Sequence, residues 1–204
     1  AFAQQPSFGF RAGVSSASIK GDAESSLQNL IEATDGIIET NNRTGFFAGA
    51  YTSIPVSEAI AIEPGIYYSQ KGYEINGALD LKGIEFLGIN AKAQLNAQYI
   101  DIPVLMKVNL DGFQIFAGPQ VSYLAKADLV TKAGVLGFNL LNKTFDAAEQ
   151  FNRWDAGVTG GIGYQFANGL NVTASYDPGL SRTHANKNLE AYNRSFKVGI
   201  GFQF

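Results

Sequence analysis

Apolar and polar residues alternate along most of this chain in stretches of about ten residues, a period of two that belongs to strands rather than helices. Eight such stretches are legible: Phe8–Ser18, Thr44–Ile54, Ala59–Lys71, Gln98–Val108, Phe113–Lys126, Trp154–Phe166, Leu170–Asp177 and Ser195–Phe204. In the last, Phe196, Val198, Ile200, Phe202 and Phe204 alternate with Ser195, Lys197, Gly199, Gly201 and Gln203. The adjacent Phe46 and Phe47 leave the phase of the second stretch open.

One face of every stretch is free of charge. The other holds Arg11, Glu63, Lys71, Asp101, Lys107, Lys126, Asp155, Asp177 and Lys197. A soluble sandwich or lipocalin-like barrel would turn a charged face toward water. Here that face is crowded with glycine and serine, which suits a narrow interior. The apolar face carries aromatics mainly at strand ends, among them Phe8, Tyr68, Tyr123, Trp154, Tyr164, Tyr176 and Phe204. Aromatic girdles flanking an apolar band mark a barrel in a bilayer, and nine to eleven tilted residues cross its hydrocarbon.

Connections alternate too. Residues 55–58, 109–112 and 167–169 read as short turns, two with the hairpin dipeptides Asp111-Gly112 and Asn168-Gly169. Residues 19–43, 72–97, 127–153 and 178–192 are long. An even strand count closes the sheet and leaves no edge in lipid. The expected fold is all-β: a closed eight-stranded antiparallel transmembrane β-barrel with four long extracellular loops and three short periplasmic turns, integral to a bacterial outer membrane.

Composition narrows the function. The 204 residues fit one domain, expected over 7–204. Residues 1–6, with the small-x-small run Ala1-Phe2-Ala3, are expected to be a signal-peptide remnant or an N-terminal tail. There is no cysteine, which excludes a disulfide scaffold, a cysteine-ligated zinc and thiol catalysis. A net charge of −3 argues against a nucleic-acid partner. No apolar run is long enough for a transmembrane helix.

Four stretches carry a family likeness: Glu63-Pro-Gly-Ile-Tyr-Tyr-Ser-Gln-Lys-Gly72, Tyr99-Ile-Asp-Ile-Pro-Val-Leu-Met-Lys107, Phe116-Ala-Gly-Pro119 and Trp154-Asp-Ala-Gly-Val-Thr-Gly-Gly-Ile-Gly-Tyr164. They resemble the PorT-like "porin family" outer-membrane β-barrel domain common in Bacteroidetes. The resemblance implies an eight-stranded barrel of the same general architecture as OmpA and OmpX. It brings no catalytic residues.

Eight strands enclose a lumen that side chains can fill. The nine charges of the inner face are therefore expected to form a lumen network that plugs the barrel. Arg11 is set against Glu63 or Asp177, and Lys197 against Asp155 or Asp101. Catalysis is not expected: the single histidine, His184, lies in the last loop near Ser181, and no triad pattern accompanies it. No cofactor or metal is expected. The long loops are apolar for segments that face water. Leu27, Leu30 and Ile31 recur at helical spacing after Asp22, a candidate N-cap. Residues 73–97 alternate around Lys82-Gly83 as a hairpin. Leu30, Ile31, Ile84, Phe86, Ile89, Phe138 and Leu140 are candidates either for a lid of loops or for contact with another protein. The expected partners are outer-membrane lipid and, through the loops, other outer-membrane or surface proteins. The expected role is that of a non-enzymatic structural or accessory subunit, with a small porin-like transport channel as the alternative.

Overall fold

A computed structural model describes residues 5–21, 38–79, 89–135, 138–146, 152–181 and 191–204. The strands are β1 (Ser7–Gly21), β2 (Ile38–Pro55), β3 (Ile60–Leu79), β4 (Ile89–Leu110), β5 (Phe113–Val135), β6 (Phe138–Asp146), β7 (Trp154–Gln165), β8 (Leu170–Pro178) and β9 (Ala191–Gln203). Eight of them form a closed antiparallel ring in the order β1, β2, β3, β4, β5, β7, β8, β9, and β9 pairs back to β1. The remaining strand, β6, pairs with the far end of β5, outside the ring.

Paired residues can be followed once around the barrel. Gln165 faces Asn171, then come Gly201, Arg11, Gly49, Tyr67, Asp101 and Ser122, and the path returns to β7 at Asp155. The return point lies ten residues from the start (165 − 155). For eight strands this shift corresponds to a tilt of about 40° and a backbone radius of about 8 Å. Such a tube has room inside for side chains and little else.

The alternation read from the sequence sorts into inside and outside. Arg11, Glu63, Tyr67, Asp101, Lys107, Asn171 and Lys197 are buried, while Phe10, Ile66, Met106, Ile162 and Ile200 are exposed on the outer face. The structure also fixes the open phase of β2: Phe47 is 5% exposed and Phe46 is 48% exposed. The short-turn dipeptide Asp111-Gly112 has φ of 50° and 90°. That is the left-handed pair a two-residue hairpin requires. Asn109 Oδ1 accepts the Gly112 amide at 3.0 Å. Gly169, also at φ 90°, serves the β7–β8 turn.

Outer-face aromatics bracket the apolar band. On β7, Trp154 and Tyr164 stand ten residues apart, about 25 Å along the barrel normal at this tilt. Tyr123 packs edge-on against Trp154, and Phe46 lies tilted against Tyr68, at the long-loop end.

The barrel wall is uneven above that girdle. Ring strands β7 and β8 end close to it, whereas β3, β4 and β5 run on and β6 joins them. The pairing of β1 with β2 ends at Ala17 and Arg43, so the first residues of β2 pair with β3 instead. A five-stranded sheet, β2-β3-β4-β5-β6, therefore projects from one side of the mouth.

Two expectations are corrected here. Residues 127–153 are not simply a loop, because β5 and β6 make a hairpin from Asp128–Asp146 to Val135–Phe138. Lys126 is not in the lumen. Gln98 faces Lys126 while Tyr99 faces Leu124, so Ala125 is an extra residue. One inserted residue reverses the faces beyond it. Leu124 and Ala127 are fully buried, and the Lys126 side chain is 56% exposed. The hairpin read over 73–97 is observed as paired strands from Tyr73–Leu95 out to Leu79–Ile89. The helix-like pattern of Leu27, Leu30 and Ile31 lies outside the described residues, as do Ile84, Phe86 and His184.

Candidate functional site

The strand pleat places eight of the nine proposed lumen charges inside, and seven of them form two clusters. The lower one, nearer the short turns, centres on Glu63 of β3, which is 1% exposed. Arg11 Nη1 of β1 donates to Glu63 Oε1 at 3.0 Å, and Lys107 of β4 pairs with Oε2. Arg11 also donates to the Tyr67 hydroxyl at 3.2 Å and lies 4.5 Å over the Tyr51 ring. Asn171 Nδ2 donates to the Tyr51 hydroxyl at 3.0 Å. Two cations share one carboxylate, and the face of the Tyr51 ring, which both approach, offsets part of the surplus charge.

The upper cluster centres on Asp101 of β4, which is fully buried. Its carboxylate accepts from Lys71 at 2.8 Å, Lys197 at 3.0 Å, and the hydroxyls of Ser69 and Ser122 at 2.6 Å each. Lys197 pairs with Asp177 as well, at 2.7 Å. Of the options open to Lys197, Asp101 is taken. Asp155 stands apart: it accepts from Ser181 at 2.6 Å and Asn193 Nδ2 at 2.8 Å at the rim.

The uncharged members of this network escape a search for charge. Asn171, Tyr51, Tyr67, Ser69, Ser122, Gln120 and Thr159 are all buried, and Thr159 donates to Gln120 at 2.9 Å. Their signal in the sequence is parity, since each occupies the inner phase of its strand. The eight buried charges, four of each sign, balance. Lys126 instead pairs with Asp128 on the outer surface at 2.6 Å, and that bond raises its ammonium above the usual lysine range.

The clusters divide the lumen. Below the Glu63 group, toward the short turns, is a cavity of about 160 Å3 bordered by Lys107, Asn109, Gln114, Gln165 and Gln203. A second, of about 40 Å3, lies between the clusters, bordered by Arg11, Phe47, Thr173, Asp177 and Lys197. It has room for a water or two. Arg11 Nη2 and Asp177 Oδ1 have no hydrogen-bond partner.

The proposed loop contacts are spread out. Ile89 opens β4, and Phe138 and Leu140 lie on β6. Leu30, Ile31, Ile84 and Phe86 lie outside the described residues. Backbone register nonetheless orders the projecting sheet into rows. Leu79, Ile89, Val135 and Phe138 form one; Tyr73, Leu95, Leu129 and Phe145 form another. Between them in phase runs Asn76, Lys92, Lys132 and Asn142. Apolar rows thus alternate with polar ones, as in a two-faced sheet.

A closed ring with an apolar outer band and a charged, filled interior is the form of a membrane barrel. The family described as outer membrane protein beta-barrel domain matches residues 2–185. The chain belongs to that family. As an outer membrane protein beta-barrel, it is an integral protein of the bacterial outer membrane. Among solved structures, Neisserial surface protein A is similar over 98% of this chain and 100% of its own, at 10% identity and a TM-score of 0.48. Ail, the attachment invasion locus protein of Yersinia pestis, is similar over 98% and 100%, at 11% identity and a TM-score of 0.46. OprG from Pseudomonas aeruginosa is similar over 97% and 95%, at 12% identity and a TM-score of 0.37. No curated protein matches the chain.

Proposed function

We propose that this barrel is a non-enzymatic accessory subunit of a larger outer-membrane assembly, acting through the structure it raises above the membrane, and that it is of the PorT-like kind. One observation carries the reading: among the described residues the wall reaches farthest past the aromatic girdle along β2–β6, as a sheet with alternating apolar and polar rows, while the β1–β9 pairing stops at Gly21 and Ala191. A barrel needed only as an anchor has no use for twelve residues of β5 beyond Tyr123. The lumen supports the same reading, because Glu63, Asp101 and Asp155 are each committed to cation, hydroxyl or amide partners. The sequence of β3 and β4, with Tyr99-Ile-Asp-Ile-Pro103, supports the PorT-like part.

The test is purification from native membranes in mild detergent, with identification of accompanying chains. A second version of the protein has the hairpin trimmed, so that Asp128 and Asp146 are joined by Asn-Gly. A partner found with the full chain and lost on trimming supports the reading. A full chain that comes out alone, or a partner that survives trimming, overturns it. The channel alternative rests on the cavities lying on both sides of the Glu63 group. Steady single-channel steps in planar bilayers would favour it.

A further inference from the structure

The buried charges balance over the whole lumen but not at each level. In the upper cluster Lys71 and Lys197 are matched by Asp101 and Asp177. In the lower one Arg11 and Lys107 share Glu63, so one positive charge is left over. Asp155, the acid that would balance it, stands at the long-loop rim, bonded to Ser181 and Asn193. The surplus therefore lies at the end of the lumen that holds the cavity of about 160 Å3, which Lys107 borders.

The rest of that cavity is lined by uncharged residues and, on the β2–β3 turn, by the exposed Glu58. Lys107 faces Phe116 and Asn109 faces Gln114, while Gln114 faces Gly163, two residues before Gln165. Toward the short turns the order is thus Lys107, Gln114, Gln165. Gln165 Nε2 donates to the Gly169 carbonyl at 3.0 Å, which fixes its amide with Oε1 as the free atom. That oxygen is buried with no hydrogen-bond partner, and so is Oε1 of Gln114, a residue only 3% exposed. Buried acceptors are rarely left unpaired. Lys107 has three N–H donors, of which Glu63 uses one.

A guest that answers both ends carries negative charge inward and N–H donors outward. A carboxylate takes a charge-assisted bond from Lys107, and an α-nitrogen supplies the glutamine oxygens and faces Glu58 at the mouth. The volume suits about five water-sized groups, the size of glycine or alanine.

We propose that this cavity binds a small α-amino acid, or the carboxyl-terminal residue of a short peptide, entering from the short-turn end, with its carboxylate on Lys107 and its α-nitrogen on Gln114 and Gln165. The site lies at the opposite end of the barrel from the projecting sheet, so it stands or falls apart from the accessory role.

The test uses the full chain folded in mild detergent and dialysed to equilibrium against isotope-labelled glycine, with acetate, methylamine and glycylglycine as competitors. Glycine should bind saturably, about tenfold better than acetate or methylamine, each of which lacks half of the contacts. K107M should lose glycine and acetate alike. Q114L/Q165L should weaken glycine about tenfold and leave acetate unchanged. K126Q should bind as the unaltered chain does, and heat-modifiable migration checks the fold of each variant. Should a lumen variant fail to fold, competition on the unaltered chain still decides. Glycylglycine competing better than unlabelled glycine supports the site and assigns it to peptide ends, and weaker competition assigns it to free amino acids. Absence of saturable glycine binding, acetate or methylamine competing as well as glycine, or glycine binding unchanged in K107M would overturn the proposal.

Discussion

Replacing Glu63 with glutamine tests the lumen network at its most dependent point. The carboxylate is 1% exposed and serves two cations, themselves only 6% and 4% exposed. After the change Arg11 keeps Tyr67, the Tyr51 ring and a long contact of 3.5 Å to Asn171. Lys107 keeps the Tyr51 ring at 5.4 Å. Removing one partner of a buried pair typically costs about 3–5 kcal/mol, because the other charge is left without compensation. A loss of about 3 kcal/mol lowers the ratio of folded to unfolded protein roughly a hundredfold. With a urea dependence of about 2 kcal/mol/M, the unfolding midpoint should fall by about 1.5 M. The assay is urea unfolding in lipid vesicles, read from the heat-modifiable gel band. K107M alone should cost little, since Arg11 and Glu63 remain a one-to-one pair. Added to E63Q, K107M should restore part of the loss by removing the stranded ammonium. An E63Q protein within about 0.5 kcal/mol of the unaltered one would show that water reaches these cations and that the pairs do not hold the lumen closed.

Three further outcomes are expected. Gly13→Ala should sharply reduce the folded band, because a Cβ there would sit 2.0 Å from the Val198 carbonyl oxygen and 2.5 Å from Gly199 Cα; full recovery of the folded band would refute the close strand approach. Gly112→Ala should cost about 1–2 kcal/mol in the same urea assay, since its φ of 90° disfavours any side chain. Lys126→Gln should leave the midpoint where it is, and a large drop would place Lys126 back in the lumen.

The sequence discloses the barrel wherever alternation is unbroken. On β9 the pattern from Phe196 to Phe204 is the observed outer face. It misleads where an extra residue enters. Tyr123 and Leu124 are successive apolar residues with opposite roles, one in the girdle and one buried, and the reversal at Ala125 carries Lys126 outward. Leu140 and Leu141 show the same signature on β6: Leu141 faces Ala133, Asn139 faces Gly134, and Leu140 has no opposite number. The extra residues Ala125 and Leu140 each break the alternation, and the second lies in the β5–β6 hairpin that the sequence reads as a loop. The ion pairing was less legible still. Parity puts Asp155 and Asp101 on one inner surface, but only the barrel's stagger decides which of them lies level with Lys197.

The seam between β1 and β9 sets an order of events. Gly9 meets Gln203 and Gly21 meets Ala191, so the ring closes through residues separated by nearly the whole chain. Neighbouring hairpins such as β4–β5 and β7–β8 close loops of only a few residues and can form early. The seam must bring together ends about 190 residues apart, at a chain-entropy cost of about 4–5 kcal/mol if nothing else has formed. Zipping the intervening hairpins first removes most of that search. Until the last strand arrives, β1 and β9 both present unpaired backbone, and Arg11 and Lys197 lie on an open curved ribbon instead of in a tube. Closure and burial of those charges are therefore one late kinetic step, and slow, long-range pairing of this type limits the rate of β-rich folding.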